Sequence, residues 1–183
     1  LDSLKHLSLG HNQIETIHEQ SLQHCDKLLV LDLSHNQLST APVALRSLHG
    51  LQTIDLSENL INDIVGASFL QMQNLWRLQL NNNKLSKVTV GLFKEMKSLQ
   101  ILDLSANIIK EVEKGSLDFN QKLQAVRLDA NALENMEGLF VNLHNLIWLN
   151  VSDNKISQFD YNFLPVNLRW LDISHNQLSE LGN

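Results

Sequence analysis

The chain has 183 residues, 43% of them hydrophobic and 19% charged, with a net charge of −6 and a pI near 5.7. This is ample for a packed core, and the scattered Lys and Arg argue against a nucleic-acid or heparin-binding surface. No stretch reaches the roughly 18 consecutive apolar residues of a membrane span, and no signal peptide is recognisable.

Read from the N-terminus, Leu4, Leu7, Leu9 and Asn12 introduce a spacing that then recurs along the chain. The leading leucines are Leu4, Leu28, Leu51, Leu75, Leu99, Leu123, Leu146 and Leu168. Eight residues after each comes an asparagine: Asn12, Asn36, Asn59, Asn83, Asn107, Asn131, Asn154 and Asn176, at a period of 22 to 24 residues. Each unit therefore begins with a short strand. Alternation along that strand puts Leu7 and Leu9 on the core side and residues 6 and 8 on the other face. One unit cannot bury its apolar side alone, so the units stack in parallel and share one core. Asparagine falls where the chain leaves the strand. Its amide can bond backbone groups that have lost their ladder partners, which makes the column a structural one and not a row of ligand contacts.

Downstream in each unit come two more apolar columns. One is Ile14, Leu38, Ile61, Leu85, Ile109, Leu133, Ile156 and Leu178; the other is Ile17, Ala41, Ile64, Val88, Val112, Met136, Phe159 and Leu181. The returning arm then supplies a large residue: Leu22, Leu45, Phe69, Phe93, Leu117, Phe140 and Phe163. The single cysteine, Cys25, occupies the core position held elsewhere by Met72, Met96 and Leu143, and is expected to be a buried free thiol. The largest irregularity is the shortened arm containing Pro165. Leu1-Asp2-Ser3 reads as the end of a preceding unit and Leu181-Gly182-Asn183 as a unit interrupted midway, with no polar or cysteine-rich cap at either end. The expectation is a piece of a longer array.

These motifs are the leucine-rich-repeat signature. The fold expected is an α/β leucine-rich-repeat solenoid, a horseshoe of eight parallel strands on the concave face, with short helical turns and loops on the convex side. Residues 1–183 form a single uncapped array in this reading. Its use is recognition on an extended rigid surface, not catalysis.

On the open face, one column reads His6, Val30, Thr53, Arg77, Ile101, Ala125, Trp148 and Trp170, and its partner reads Ser8, Asp32, Asp55, Gln79, Asp103, Arg127, Asn150 and Asp172. A flanking column contains Leu29, Trp76, Ile147 and Arg169. Outward aromatics on a rigid scaffold are typical protein anchors, so Trp76, Arg77, Ile101, Arg127, Trp148 and Trp170 are the candidate protein-binding residues. Trp148 and Trp170 should sit on adjacent strands about 5 Å apart. The acidic column would suit a basic partner. Asn150-Val151-Ser152 is the one N-x-S/T sequon, and a glycan on Asn150 would compete with the tryptophans for the same space.

Other constellations carry less. His11, His35 and His175 share a column, and His11 and His35 should be neighbours, but two histidines without a third ligand make a poor metal site. Asp32-Leu33-Ser34-His35 and Asp172-Ile173-Ser174-His175 hold the ingredients of a catalytic triad. However, Asp-x-Ser also recurs at Asp55-Ser57 and Asp103-Ser105, and an open strand array offers no oxyanion pocket. No enzyme activity, metal or cofactor is expected.

The C-terminal stretch narrows the reading. Phe159-Asp160-Tyr161, Pro165, Asn167-Leu168-Arg169-Trp170-Leu171-Asp172-Ile173 and Leu181-Gly182-Asn183 resemble a segment of arthropod Toll receptor ectodomains, especially the long-ectodomain type. That resemblance implies a single-pass membrane receptor at the cell surface, with its span outside this segment. It further implies a protein ligand of the cystine-knot cytokine class, receptor dimerisation and signalling through cytoplasmic TIR domains, in immunity or development. A leucine-rich-repeat adhesion molecule without TIR signalling and an intracellular scaffold are the alternatives. Phe69, Phe93 and Phe140 favour the extracellular class.

Overall fold

The computed structural model describes residues 1–182. Eight three-residue strands form one parallel sheet: β1 (His6–Ser8), β2 (Val30–Asp32), β3 (Thr53–Asp55), β4 (Arg77–Gln79), β6 (Ile101–Asp103), β8 (Ala125–Arg127), β9 (Trp148–Asn150) and β10 (Trp170–Asp172). They pair strictly with their neighbours in the sheet and without register slip, so Val30, Thr53, Arg77 and Ile101 stand in one line across it. The architecture is the leucine-rich-repeat solenoid expected from the spacing.

The central residue of each interior strand, such as Leu31, Ile54, Leu78 and Leu102, is buried at 1% exposure or less, while its two neighbours face away from the core. Behind the sheet the consensus leucines and the arm residues Phe69, Phe93 and Phe140 fill a continuous core; Phe69 and Phe93 stack at 6.4 Å. Burying each such side chain contributes about 1.5–3 kcal/mol. Cys25 lies in this core as a free thiol.

The asparagine column ties each unit to the one before it. Asn36 donates from Nδ2 to the carbonyls of Leu9, Leu33 and Ser34 at 3.0–3.1 Å, and its Oδ1 accepts the N–H of Ile14 at 2.9 Å. Asn83 repeats this with Leu56, Leu80, Asn81 and Ile61. One amide thus satisfies groups in two successive turns. Among the described residues Asn12, which is exposed, bonds the carbonyls of Leu9 and Gly10 of its own unit.

The helical share is smaller than an α/β label implies. Among the described residues it consists of three short 3-10 helices, Val43–Ser47, Gly66–Phe69 and Tyr161–Phe163. A 24-residue turn spends most of its length crossing the core twice, which leaves room for one tight turn. A second strip of pairing was not foreseen: β5 (Lys87–Val88) pairs in parallel with β7 (Glu111–Val112), and Thr40 bridges Asp63 at the equivalent position. Each of these pairings begins four residues after the asparagine, where successive chains are still one repeat spacing apart.

Two expected core positions are less buried than their columns. Leu181 is 67% exposed, and Phe163 is half-buried, packed against the core only at its margin. Conversely, Asn120 takes a core position between Met96 and Leu143, fully buried, its Nδ2 donating to the carbonyls of Phe93 and Met96 while Oδ1 lacks a partner.

Candidate functional site

The open sheet face is the surface on which side chains are held in fixed register without being consumed by the core. At its C-terminal end Trp148 and Trp170 are register partners on β9 and β10. Their rings stack with centroids 4.3 Å apart and planes 2° from parallel. A strand spacing of about 4.8 Å permits this: two flat side chains leaving adjacent strands at the same register can lie face to face. Trp170 remains 42% exposed and Trp148 is half-buried. On the other side of Trp148 the register partner is Ala125, too short to cover an indole.

Arg127 stands on β8 beside this pair. Its guanidinium forks onto Asp129, with Nε to Oδ1 at 3.1 Å and Nη2 to Oδ2 at 2.9 Å, and Nη1 reaches Asp103 Oδ2 at 3.3 Å. The hydrogen bonds to Asp129 chiefly, then the nearby carboxylates, outweigh partial burial and raise its pKa above the ordinary arginine value. The arginine is therefore oriented and permanently charged. Arg77 on β4 is exposed beside half-buried Ile101, its register partner on β6. Trp76 is half-buried just before β4, with β6 and β8 lying between β4 and the other two tryptophans. The structure thus pairs Trp148 with Trp170, places Arg127 on the strand between them and Ile101 with its guanidinium turned toward Asp103 on β6, and keeps Trp76 and Arg77 farther along the sheet.

The acidic column is less available than its composition implies. Asp32, Asp55, Asp103 and Asp172 each accept both the N–H and the hydroxyl of the serine two residues on, with hydroxyl distances of 2.5–2.6 Å. These are turn staples that hold the chain as it leaves the strand. Burial alone would raise the Asp32 carboxyl, but the Ser34 hydroxyl and N–H, the Ser8 hydroxyl and nearby His11 together hold it below its ordinary value. The same serine bonds lower Asp172. The triad ingredients are explained likewise: the serine hydroxyls give their protons to the aspartates of their own turn.

The column that holds His11, His35 and His175 shares an unusual backbone conformation. The residue before each consensus asparagine is left-handed: His11, His35, Glu58, Asn82, Ala106, Ala130, Asp153 and His175, with φ between 51° and 55°. The signal is present, because none of the eight is β-branched and such side chains are barred from this region. This shared backbone also makes His11 and His35 stack, with centroids 4.0 Å apart.

Comparison with known proteins agrees with this geometry. The leucine rich repeat family model matches residues 1–38, 39–85, 73–133 and 121–178. Toll-like receptor 7 of Drosophila melanogaster is 51% identical over 147 residues, which is 80% of this chain and 10% of that protein. The volume-regulated anion channel subunit LRRC8E of Xenopus tropicalis is 45% identical over 71 residues, 38% of this chain and 9% of that protein. The chain thus spans about a tenth of the length of the curated relatives it matches. Among solved structures, Toll in its glycosylated complex with Spatzle, from Drosophila, superposes with a TM-score of 0.82 at 20% identity, covering 95% of this chain and 28% of that one. The TLR13–ssRNA13 complex superposes at 0.76 and 27% identity, over 94% of this chain and 29% of that one. A nucleic-acid ligand is therefore within reach of this fold, and the exclusion read from composition does not extend to the fold as a class. By its repeats, their register and these matches, the chain belongs to the leucine-rich-repeat family and resembles the ectodomain repeats of Toll-like receptors.

Proposed function

We propose that this chain is a protein-recognition segment of a Toll-like cell-surface receptor. The observation that carries the reading is the Trp148–Trp170 stack, whose rings lie parallel on the open face, with an oriented Arg127 on the neighbouring strand. Rigid aromatic and guanidinium groups lose little entropy on docking, and such residues dominate protein interfaces. In this reading the array lies outside the cell and is joined to a membrane span and a signalling domain elsewhere in the protein. The ligand is a cystine-knot cytokine, and ligand binding drives receptor dimerisation. The Toll–Spatzle complex supports the ligand class, and the 51% identity to a Toll-like receptor supports the receptor type. Arg77, Ile101 and Trp76 form a second contact group farther along the sheet.

The test is surface-plasmon binding of Spatzle-type cystine-knot proteins to the receptor and to its Trp148→Ala, Trp170→Ala double variant. Loss of binding only in the variant supports the reading; equal affinity removes the patch from the interface. The TLR13–RNA complex makes single-stranded RNA the necessary comparison ligand. Saturable binding of RNA and of no cystine-knot protein would replace the ligand class.

A further inference from the structure

In four units the last strand residue is an aspartate whose Oδ1 staples the serine two positions on. On β9 that residue is Asn150. Its Oδ1 still accepts the Ser152 N–H at 3.0 Å, so the structural role of the column is kept by one oxygen. The aspartate's second oxygen is replaced by an amide nitrogen. That Nδ2 donates to nothing among the described residues and is reached by solvent. Of the chain's 20 asparagines, this is the one followed by x-Ser or x-Thr. The spare nitrogen is therefore the atom an N-linked sugar needs.

The surroundings provide a seat for that sugar. Trp148 lies two residues earlier on the same face, roughly 6.6 Å away along the strand. One face of its ring is covered by Trp170; the other looks over Ala125. Arg127, the long side chain next to that space, is drawn away by Asp129 and Asp103. An open indole face with a negative quadrupole suits the C–H side of a pyranose ring.

We propose that Asn150 carries an N-linked glycan whose first N-acetylglucosamine packs on the Trp148 indole face above Ala125, so that occupancy of this sequon decides whether the tryptophan stack is open to a protein. In the transfer, Nδ2 of Asn150 forms a bond to the anomeric carbon of a lipid-pyrophosphate-linked oligosaccharide. The bond from that carbon to the phosphate oxygen breaks, the lipid pyrophosphate leaves, and the amide gives up one proton. Ser152 is buried in the folded array, so transfer precedes folding. The modification stands on its own; its regulatory consequence rests on the recognition role proposed above.

The experiment uses the full-length receptor expressed in insect cells and purified from their membranes in detergent. Glycopeptide mass spectrometry reads occupancy at position 150, and hydroxyl-radical footprinting reads oxidation of Trp148 and Trp170 before and after peptide-N-glycosidase. The expected result is an occupied Asn150 and severalfold weaker Trp148 oxidation in the glycosylated form. Asn150→Asp restores the staple of the other units, so it is expected to fold and to label like the enzyme-treated receptor, whose Asn150 the glycosidase also converts to aspartate. An unmodified Asn150 overturns the site, and an occupied one with unchanged Trp148 labelling overturns the packing. Neither readout involves a ligand. If the double tryptophan variant binds every ligand normally while Asn150 is occupied and Trp148 shielded, the recognition role fails and this inference stands.

Discussion

The two faces of the sheet obey one register and different rules. Below it, nearly the same residue recurs in every unit because the same backbone groups are orphaned in every unit, and a single asparagine answers them. Above it, the register is equally strict, yet the column runs from His6 through Arg77 to a tryptophan pair. Periodicity is thus imposed by what the core demands. The open face is the part of each unit left free to differ, and there Trp148 and Trp170 stack as the pair proposed above to contact a partner.

The sharpest way to break this comparison is to disturb the lower face. Asn83→Ala leaves the buried Ile61 N–H without a partner and removes one of two donors from the carbonyls of Leu56, Leu80 and Asn81, and should cost about 2–4 kcal/mol in urea unfolding. Asn12→Ala, exposed and bonded within its own unit, should cost less than about 1 kcal/mol. Equal losses would mean that the ladder does not act between turns.

On the upper face the effect should appear in binding. Trp148→Ala with Trp170→Ala is expected to weaken partner affinity at least about tenfold, or roughly 1.4 kcal/mol. Stability should fall by less than about 1.5 kcal/mol, the scale of an aromatic pair, in a thermal melt of the same protein. A large stability loss would place these rings with the core instead.

The left-handed column sharpens the comparison further, because there the core's demand conflicts with the side chain. Ala130 holds φ at 54°. Ala130→Gly should therefore raise stability by about 1 kcal/mol, since the strain of a Cβ in this region exceeds the entropy lost by the unfolded glycine. A melt showing destabilisation would mean that Ala130 makes packing contacts worth more than its strain.

The smallest effect concerns pH. The Asp32 carboxyl is held below its ordinary value in the folded chain. Its contribution is therefore full above the unfolded carboxylate pKa of about 3.9 and disappears as pH falls through the lower folded value. For so exposed a group this amounts to roughly a few tenths of a kcal/mol. Asp32→Asn should flatten the stability curve below about pH 4 by that amount, and an unchanged acid limb would show the staple to be energetically idle.

Much of this was legible in the chain because the spacing of leucines carries the strand period and the spacing of asparagines carries the turn. The neighbouring of Trp148 with Trp170 and of His11 with His35 followed from counting alone. Less legible was the fate of the acidic column. Asp-x-Ser was recognised as a repeat feature, but only the bond from Ser34 to Asp32 shows why it recurs and how much of the carboxylate it occupies. Asn120 resembles a surface asparagine in sequence, and its burial depends on two carbonyls of the preceding unit, 24 and 27 residues away.

By itself the sequence determined the eight strands of the main sheet, their register and which residues leave the core, because a 24-residue period admits one way of stacking apolar columns. Tertiary structure alone decided which outward groups remain free. Asp103 is tied to Ser105 and Arg127, whereas Asn150 keeps an unbonded nitrogen beside an uncovered indole. That outcome depends on which short hydrogen bonds form across neighbouring strands. The staples themselves join residues two positions apart, but the bond from Arg127 to Asp103 joins residues 24 positions apart, and local sequence preference has no hold over it.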